Sequence, residues 1–445
     1  MKVIVLGAGI IGVSTAWHLL NDGHEVTVVD RQPDAALETS FANGAQISVS
    51  FCEPWAHAGA PWKVAKWLLR DDSPLLFRPR FDPHQWRWGL SFLTQCNDAA
   101  FERNVRQLVA LGRYSHESLK SVVAATGIEY QRLERGILHF FSSQADLAAG
   151  AAGAELMRRH GVDRRVLSRD EVLKIEPALA SFGAQIHGGT FTPSDESGDA
   201  QVFTQKLAAL CRARGARFLH DTAVERLHRV GGRLSGLQLR SMPDGQVSEL
   251  TADQYVAALG SHTAPLLRSV GTWLNIYPAK GYSATLRLKR PEQASVVSLL
   301  DDTRKIAISR LGDHIRIAGT AELAGYDNSL SGATAQKRCA ALVQRYDALF
   351  PGVADTREPN YWAGLRPSTP SNIPYIGRSR LPNLWLNAGH GTLGWTHGAG
   401  SGQALAELIS GKRPALSFGF CGDALPPQRR GPKSLSTHPA GAVRF

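Results

Sequence analysis

The sequence predicts a mixed α/β and α+β protein, in which a parallel sheet flanked by helices is joined to a second unit of antiparallel sheet and helices. Three observations predict this fold class. The chain begins with a strand–helix–strand pattern, and the segments 277–288 and 305–319 alternate apolar with polar residues. The length of 445 residues is also greater than one simple hydrophobic core usually serves.

The strand–helix–strand pattern occupies the N-terminus. The β-branched run 2–6 predicts a buried parallel strand, and Gly7-Ala8-Gly9-Ile10-Ile11-Gly12 follows it. A helical pattern covers 13–20, and a second strand covers 25–29 and ends at Asp30. This order of strand, glycine-rich turn, helix, strand and acid is typical of a dinucleotide-binding unit.

Each glycine of this turn has a separate physical role. Gly7 permits the tight turn, Gly9 lets the backbone approach a pyrophosphate, and Gly12 lets helix and strand pack closely. The helix N-terminus offers free N–H groups to phosphates, and Asp30 can accept hydrogen bonds from a ribose hydroxyl. These residues do not decide whether the bound nucleotide is NAD or FAD. The predicted nucleotide contacts here are Gly7, Gly9, Ile10, Ile11, Gly12, Asp30 and Arg31.

The small polar segment 38–46 favours FAD, because its amides and hydroxyls can lie along a ribityl chain. An ordinary surface loop is the alternative. The predicted cofactor contacts in this segment are Thr39, Ser40, Asn43 and Gln46.

The middle of the chain predicts a discontinuous nucleotide-binding domain. The tryptophan-rich stretch 51–160 favours helices, and within it the amphipathic, basic 61–70 suits either a membrane-surface helix or one packed on a second domain. A helix at 201–214 capped by Ser197-Gly198-Asp199, short strands between 217 and 252 and a return strand at 255–260 then complete the sheet begun at residue 1. We predict an FAD-binding domain of residues 1–85, 165–268 and 355–415, a substrate domain of residues 86–164 and 269–354, and a disordered tail at 422–445.

Composition and missing motifs argue against several classes of protein. The net charge of +11 favours anionic ligands or surfaces, but the basic residues are spread along the chain and no nucleic-acid motif occurs. Five scattered cysteines without a CxxC pair suit a reducing compartment and predict no metal site. The apolar run 3–17 lacks the basic region of a signal peptide, so we expect a cytoplasmic protein. A hydrolase is not indicated, because there is no GxSxG nucleophile elbow, and Gly411-Lys412 is followed by Arg413 rather than by the Ser or Thr of a P-loop.

A second glycine-rich turn lies near the C-terminus. The strand 384–388 runs into Gly389-His390-Gly391-Thr392-Leu393-Gly394-Trp395-Thr396, and a helix follows to about residue 410. Such a helix end can face the N1/C2=O edge of a flavin and stabilise negative charge there. The predicted contacts are Gly389, Gly391, Thr392, Leu393 and Gly394.

Together the first turn, Glu38-Thr39-Ser40, Lys280-Gly281-Tyr282, 362–367 and 389–396 resemble the FAD-dependent D-amino acid dehydrogenases of the small-subunit type, within the glycine oxidase and D-amino acid oxidase family. The resemblance runs from Met1 to about Pro414 and implies a Rossmann-like FAD-binding domain of the glutathione-reductase type. One departure is the order Asn43-Gly44-Ala45-Gln46, where the family order is Asn-Ala-Gly-Gln.

The resemblance implies hydride transfer from Cα of a D-amino acid to flavin N5, followed by hydrolysis to a 2-oxo acid and ammonia, with D-alanine as the default substrate. It makes Arg366 the carboxylate anchor, with a structural ion pair as the alternative. Tyr282 and Tyr277 either line the site or serve the sheet, and His390 either contacts the flavin or stabilises its turn. Relatives that attach FAD covalently use a cysteine near the position of Trp362. The nearest cysteine here, Cys339, lies far upstream in the sequence, so the FAD is expected to be non-covalent.

The resemblance also implies electron transfer to a respiratory acceptor such as a quinone, with peripheral contact at the cytoplasmic face of the inner membrane. A glycine- or sarcosine-type oxidase that uses oxygen is one alternative. A flavin-fold module that binds nucleotides or nucleic acid without catalysis is another.

Overall fold

The computed structural model describes residues 1–62, 74–416 and Phe420. The N-terminal pattern forms part of a six-stranded sheet, parallel except at one edge. Its strands, in spatial order, are Tyr375–Arg378, Leu384–Ala388, Gln254–Ala257, Lys2–Leu6, Glu25–Val29 and Arg217–Leu219. Strands from three distant parts of the sequence therefore build one nucleotide-binding sheet.

The helices that pack on this sheet share one hydrophobic core with it. They are Ile10–Asn21, Asp98–Thr126, Ala200–Ala213 and Gly394–Ile409. The last helix packs closely against two of the others because its facing positions are glycines. A Cβ on Gly402 would lie 2.7 Å from the Ser14 carbonyl carbon, and one on Gly400 would lie 2.5 Å from Ser115 Cα. Asp199 caps the helix Ala200–Ala213, as the sequence predicts.

A larger mixed sheet forms the second unit. Its strands, in spatial order, are Asn360–Ser368, Tyr277–Arg287, His314–Leu323, Ile306–Leu311, Ser298–Asp301, Ile137–Phe141, Gly188–Thr192 and Arg165–Ser168, with Leu75–Phe77 beside His314–Leu323. The helix Ala333–Leu349 packs on one face of its antiparallel part. The alternating segment 305–319, predicted to belong to an antiparallel sheet, forms two antiparallel strands of a hairpin.

Smaller elements complete the fold. A meander of Thr222–Val230, Arg233–Ser241 and Val247–Leu250 turns at Gly231-Gly232, where both residues have positive φ, as a two-residue hairpin turn requires. Gln46–Ile47 pairs with Glu196–Ser197. Further α-helices include Pro83–Gln95, Gln144–Arg159, Arg169–Ile175 and Thr263–Arg268.

The sheets do not follow the predicted domain ranges. Strands at 165–168, 188–192 and 360–368 belong to the larger sheet, although the prediction placed them with the FAD-binding domain. The helix Asp98–Thr126, predicted in the substrate domain, packs in the core of the nucleotide-binding sheet. A strand or helix joins whichever surface offers partners, and a single-sequence pattern does not report those partners. The basic segment 61–70 lies almost wholly outside the described residues, and the tail 422–445 lies entirely outside them.

Candidate active site

A cleft of about 1200 Å³ is lined by residues of both sheets and by both glycine-rich turns. Its lining includes Gly7, Gly9, Asp30, Ser40, Gln46, Arg366, His390 and Thr396. The structure therefore brings together the N-terminal and C-terminal motifs, which are separated by more than 300 residues in the sequence.

At the N-terminal turn, the backbone conformation depends on glycine. Gly7 has φ +105°, and a Cβ on Gly12 would lie 1.9 Å from the Gly7 carbonyl oxygen. Gly9 precedes the helix Ile10–Asn21, whose N-terminus has no capping side chain of its own, although the Ile10 N–H donates to Ser40 Oγ at 3.1 Å. Gly9, Ile10 and Ile11 line the cleft, so an uncapped helix N-terminus lies at the cleft wall and suits a pyrophosphate.

Asp30 is held in place by the backbone. Its Oδ2 accepts from the Ala8 N–H at 2.6 Å and its Oδ1 from the Gln32 N–H at 2.9 Å, while burial raises the pKa of the carboxyl. Each carboxylate oxygen keeps a lone pair for a ribose hydroxyl. Arg31, the next residue, instead forms an ion pair with Glu38.

The segment predicted to follow the ribityl chain is tied to the larger sheet. Thr39 Oγ1 donates to the Leu365 carbonyl at 3.0 Å, and Gln46 Nε2 donates to the Leu299 carbonyl at 2.9 Å. Asn43 Oδ1 accepts from the Ala45 N–H. These side chains therefore fix the segment in the cleft wall, and direct contact with the cofactor stays a prediction. Ala45 has φ +58°, so the departure from the family order places alanine where the backbone favours glycine.

The C-terminal turn leaves a polar group without a partner inside the cleft wall. Gly389 has φ +88°, and a Cβ there would lie 2.8 Å from Thr369 Cγ2. His390 is 3% exposed, and among the described residues neither ring nitrogen has a hydrogen-bond partner. Burial lowers the pKa of His390 to about 3. A neutral imidazole with both nitrogens unsatisfied calls for a polar ligand, and the oxygens and nitrogens of a flavin fit that requirement.

Arg366 lies on the cleft face of the larger sheet. Its guanidinium covers Gly281, where a Cβ would lie 2.3 Å from Arg366 Cζ. Nη1 donates to the Thr320 carbonyl at 2.7 Å, and none of the carboxylates in the described part of the chain pairs with it. Burial lowers the pKa of Arg366 to about 10, so the group stays charged at neutral pH. The ion-pair alternative therefore has no partner among the described residues.

The two predicted tyrosines differ in position. Tyr282 borders the cleft, but its hydroxyl donates to Glu322 Oε2 at 2.5 Å, and its ring packs in the core beneath the helix Ala333–Leu349. Tyr277 packs behind the cleft in a cluster with Trp88 and Leu323, and it is not among the lining residues. Both positions favour the role of a sheet residue.

Two features of the site were missed at the sequence level. Thr320 has φ +58°, and nothing in the sequence around it marks a left-handed residue. The same cleft also has an apolar part, the apolar compartment, formed by side chains from separate elements. Its lining residues are Trp55, Leu75, Phe77, Trp88, Phe92 and Leu323. The one sequence signal for this apolar compartment is the tryptophan-rich stretch 51–160, and that stretch by itself predicts only helices.

The comparisons with known proteins agree with this geometry. A family model described as "FAD dependent oxidoreductase" matches residues 2–408. The chain belongs to this family, and FAD is its cofactor.

Within that family the chain is similar to D-amino acid dehydrogenases. It is 49% identical over 420 residues to the D-amino acid dehydrogenase of Dechloromonas aromatica, covering 94% of this chain and 99% of that protein. It is 44% identical over 417 residues to the D-amino acid dehydrogenase of Methylobacterium nodulans, covering 94% and 97%.

Solved structures share the fold at low sequence identity. L-proline dehydrogenase from P. horikoshii has a TM-score of 0.70 and 18% identity, covering 93% of this chain and 94% of that one. Glycine oxidase from Bacillus cereus has a TM-score of 0.69 and 21% identity, covering 94% and 98%. In the described part of the chain, no helix combines the length and apolarity needed to cross a membrane.

Proposed function

We propose that this flavoenzyme oxidises D-amino acids, with D-alanine as the default substrate, to 2-oxo acids and ammonia. The observation that carries the proposal is the charged guanidinium of Arg366 in the wall of an FAD cleft, which no carboxylate of the described residues pairs with. A desolvated charge without a partner is unfavourable, and a bidentate carboxylate removes that penalty. The names of the relatives at 49% and 44% identity support the D-amino acid class.

In this proposal the residues of the cleft bind and orient the substrate. Arg366 holds the carboxylate, and the Thr320 carbonyl fixes the direction of the guanidinium. The apolar compartment that includes Trp88 and Leu323 takes the side chain and keeps water away, which favours the neutral amine over the ammonium. Bound FAD supplies a hydride acceptor at flavin N5. The imino acid product hydrolyses to the 2-oxo acid and ammonia.

His390 and the two helix N-termini complete the cofactor site in this proposal. The buried imidazole, whose ring nitrogens have no partner in the described residues, donates to or accepts from the flavin. The helix Gly394–Ile409 has no side-chain cap, so its first N–H groups and partial positive charge are available to the flavin edge. The N-terminus of Ile10–Asn21 serves the pyrophosphate.

The FAD is held without a covalent bond in this proposal. The described cysteines, Cys52, Cys96, Cys211 and Cys339, do not line the cleft. Burial raises the pKa of the Cys339 thiol to about 11, which disfavours the nucleophilic thiolate. Acid precipitation should therefore release all the flavin into the supernatant, and flavin retained in the pellet would contradict this point.

The electrons pass to a respiratory quinone at a membrane surface in this proposal. One face of the helix Pro83–Gln95 carries three exposed apolar side chains, Trp86, Leu90 and Leu93, with exposed fractions of 50%, 66% and 53%. All three also line the cleft. An exposed apolar helix face on a protein of charge +11 suits docking to an anionic lipid surface. Leu90→Glu should weaken sedimentation with anionic vesicles and reduction of a lipid-dissolved quinone. Val230→Glu, at an equally exposed apolar residue of the meander, is the matched control.

The experiment for the reaction is an anaerobic titration of the purified flavoprotein. D-alanine should bleach the flavin band and L-alanine should leave it unchanged. Bleaching by glycine or sarcosine instead, with rapid oxygen consumption in air, would favour the oxidase alternative. Bleaching by the L-isomer would contradict the proposed stereochemistry.

A further inference from the structure

The strand His314–Leu323 changes, partway along its length, the face on which its side chains lie. Ala318 lines the cleft, and in a regular strand Thr320 and Glu322 would face the cleft as well. Thr320 and its neighbour Gly319 do line it, but beyond Thr320 the lining residues are Ala321 and Leu323, and Glu322 is not one of them. One residue has therefore been added to the alternation between Ala318 and Ala321.

The added residue is Thr320. On the neighbouring strand, Tyr282 pairs with Gly319 and Lys280 pairs with Glu322, so Gly281 alone faces two residues. This is a β-bulge, and Thr320 takes the left-handed conformation at φ +58°. The conformation is costly for a β-branched residue and persists only where its surroundings enforce it.

The bulge has two consequences for Arg366. It aims the Thr320 carbonyl at Nη1 of the guanidinium, at 2.7 Å. It also turns Glu322 to the opposite face, where Oε2 accepts from the Tyr282 hydroxyl and Oε1 lies 3.8 Å from Arg78 Nε.

Regular pairing without the bulge would have the opposite effect. Continued from Gly319, it would place Glu322 opposite Ala279 and on the cleft face. Ala279 pairs directly with Arg366 on its other side. The Glu322 carboxylate would then lie beside the guanidinium and neutralise it.

We propose that Thr320 is a positioning residue: its bulge holds Arg366 through the Thr320 carbonyl and keeps Glu322 away from it, so that the guanidinium stays available to the substrate carboxylate. This inference rests on the proposed role of Arg366 as carboxylate anchor. Its test uses benzoate, a carboxylate that does not react, so it is independent of whether D-amino acids are oxidised. The dissociation constant (Kd) is read from the change in the flavin spectrum of the FAD-bound protein.

The first comparison removes the left-handed conformation. Thr320→Pro, whose φ is confined to negative values, should weaken benzoate binding about 30-fold or more. Thr320→Gly, which accepts φ +58°, should keep the wild-type Kd and raise the melting temperature. The double variant Thr320→Pro/Glu322→Gln should recover at least about fivefold in Kd, since an amide does not neutralise Arg366. Absence of any recovery would overturn the proposal.

The second comparison uses variants that keep the backbone and so decide the matter even if Thr320→Pro fails to bind FAD. Ala321→Glu places a carboxylate on the cleft face, and it should weaken benzoate binding about 30-fold more than the matched Ala321→Gln does. Glu322→Gln alone should leave the Kd within about twofold, because that carboxylate does not face Arg366. Equal effects of Ala321→Glu and Ala321→Gln, a large effect of Glu322→Gln, or a wild-type protein that does not bind benzoate would overturn the proposal.

Discussion

The N-terminal turn and the Arg366 site serve the same cleft, but they arise in different ways. The turn is made by six consecutive residues, in which Gly12 must lack a Cβ because the Gly7 carbonyl lies against it. The Arg366 site is made by three strands, and the Arg366–Thr320 bond joins residues 46 apart in the sequence. Local chemistry determines the first, whereas strand register and a bulge determine the second. Substitutions at both places test this difference.

The largest effect should come from the glycines of the turn, which have separate roles. Gly12→Ala puts a methyl 1.9 Å from a carbonyl oxygen, so it should destabilise the fold by about 3 kcal/mol or more. Gly9→Ala meets only Ser40 Oγ at 3.4 Å, so it should fold normally and weaken FAD binding about 100-fold. Thermal unfolding and flavin content distinguish the two. Equal loss of stability in both variants would contradict the separate roles.

Arg366→Ala should lower kcat/KM by about 30- to 5000-fold, the equivalent of roughly 2–5 kcal/mol, because the substrate carboxylate loses its partner. The unfolding free energy of the substrate-free protein should stay the same or rise, since the variant removes a desolvated charge that has no carboxylate partner among the described residues. Arg366→Lys is the matched control that keeps the charge without the fork. A large loss of stability in Arg366→Ala would show instead that the side chain is structural.

His390→Ala should weaken FAD binding about tenfold, the value of roughly one hydrogen bond. Because burial holds the pKa of His390 near 3, the imidazole stays neutral above about pH 5, and neither protein should show a step in FAD affinity between pH 5 and 8 that belongs to this residue. FAD titrations of the apoprotein at several pH values measure this. A step near pH 6.5 that disappears in the variant would contradict the neutral, buried state.

The smallest effect concerns the departure at Gly44-Ala45. Ala45→Gly should raise the unfolding free energy by about 1 kcal/mol, because alanine at φ +58° is strained and glycine is not. Gly44→Ala should be nearly neutral, since its Cβ would meet the Ala307 Cβ at 3.5 Å, an ordinary contact. The double variant restores the family order and should be as stable as Ala45→Gly alone. A lower unfolding free energy for Ala45→Gly would contradict this expectation and show that the order Gly44-Ala45 stabilises the fold.

The same contrast explains how much the sequence predicted. The strand 384–388, the Asp199-capped helix and both glycine turns follow from neighbouring residues, and the structure has them close to where they were predicted. The membership of 360–368 in the larger sheet and the packing of Asp98–Thr126 depend on distant partners, and the sequence placed both differently. Arg366 was chosen as the carboxylate anchor through a resemblance; it lines the cleft, and its role as anchor stays a prediction. The bulge beside it is not marked by any local sequence pattern.

The most direct test of the account is a crystal structure of the FAD-bound protein with benzoate. We expect the benzoate carboxylate on the guanidinium of Arg366, beside the flavin ring, with the Thr320 carbonyl still accepting from Nη1 and Glu322 still hydrogen-bonded to Tyr282. A carboxylate bound elsewhere in the cleft, or Arg366 paired with a carboxylate of the protein itself, would contradict it.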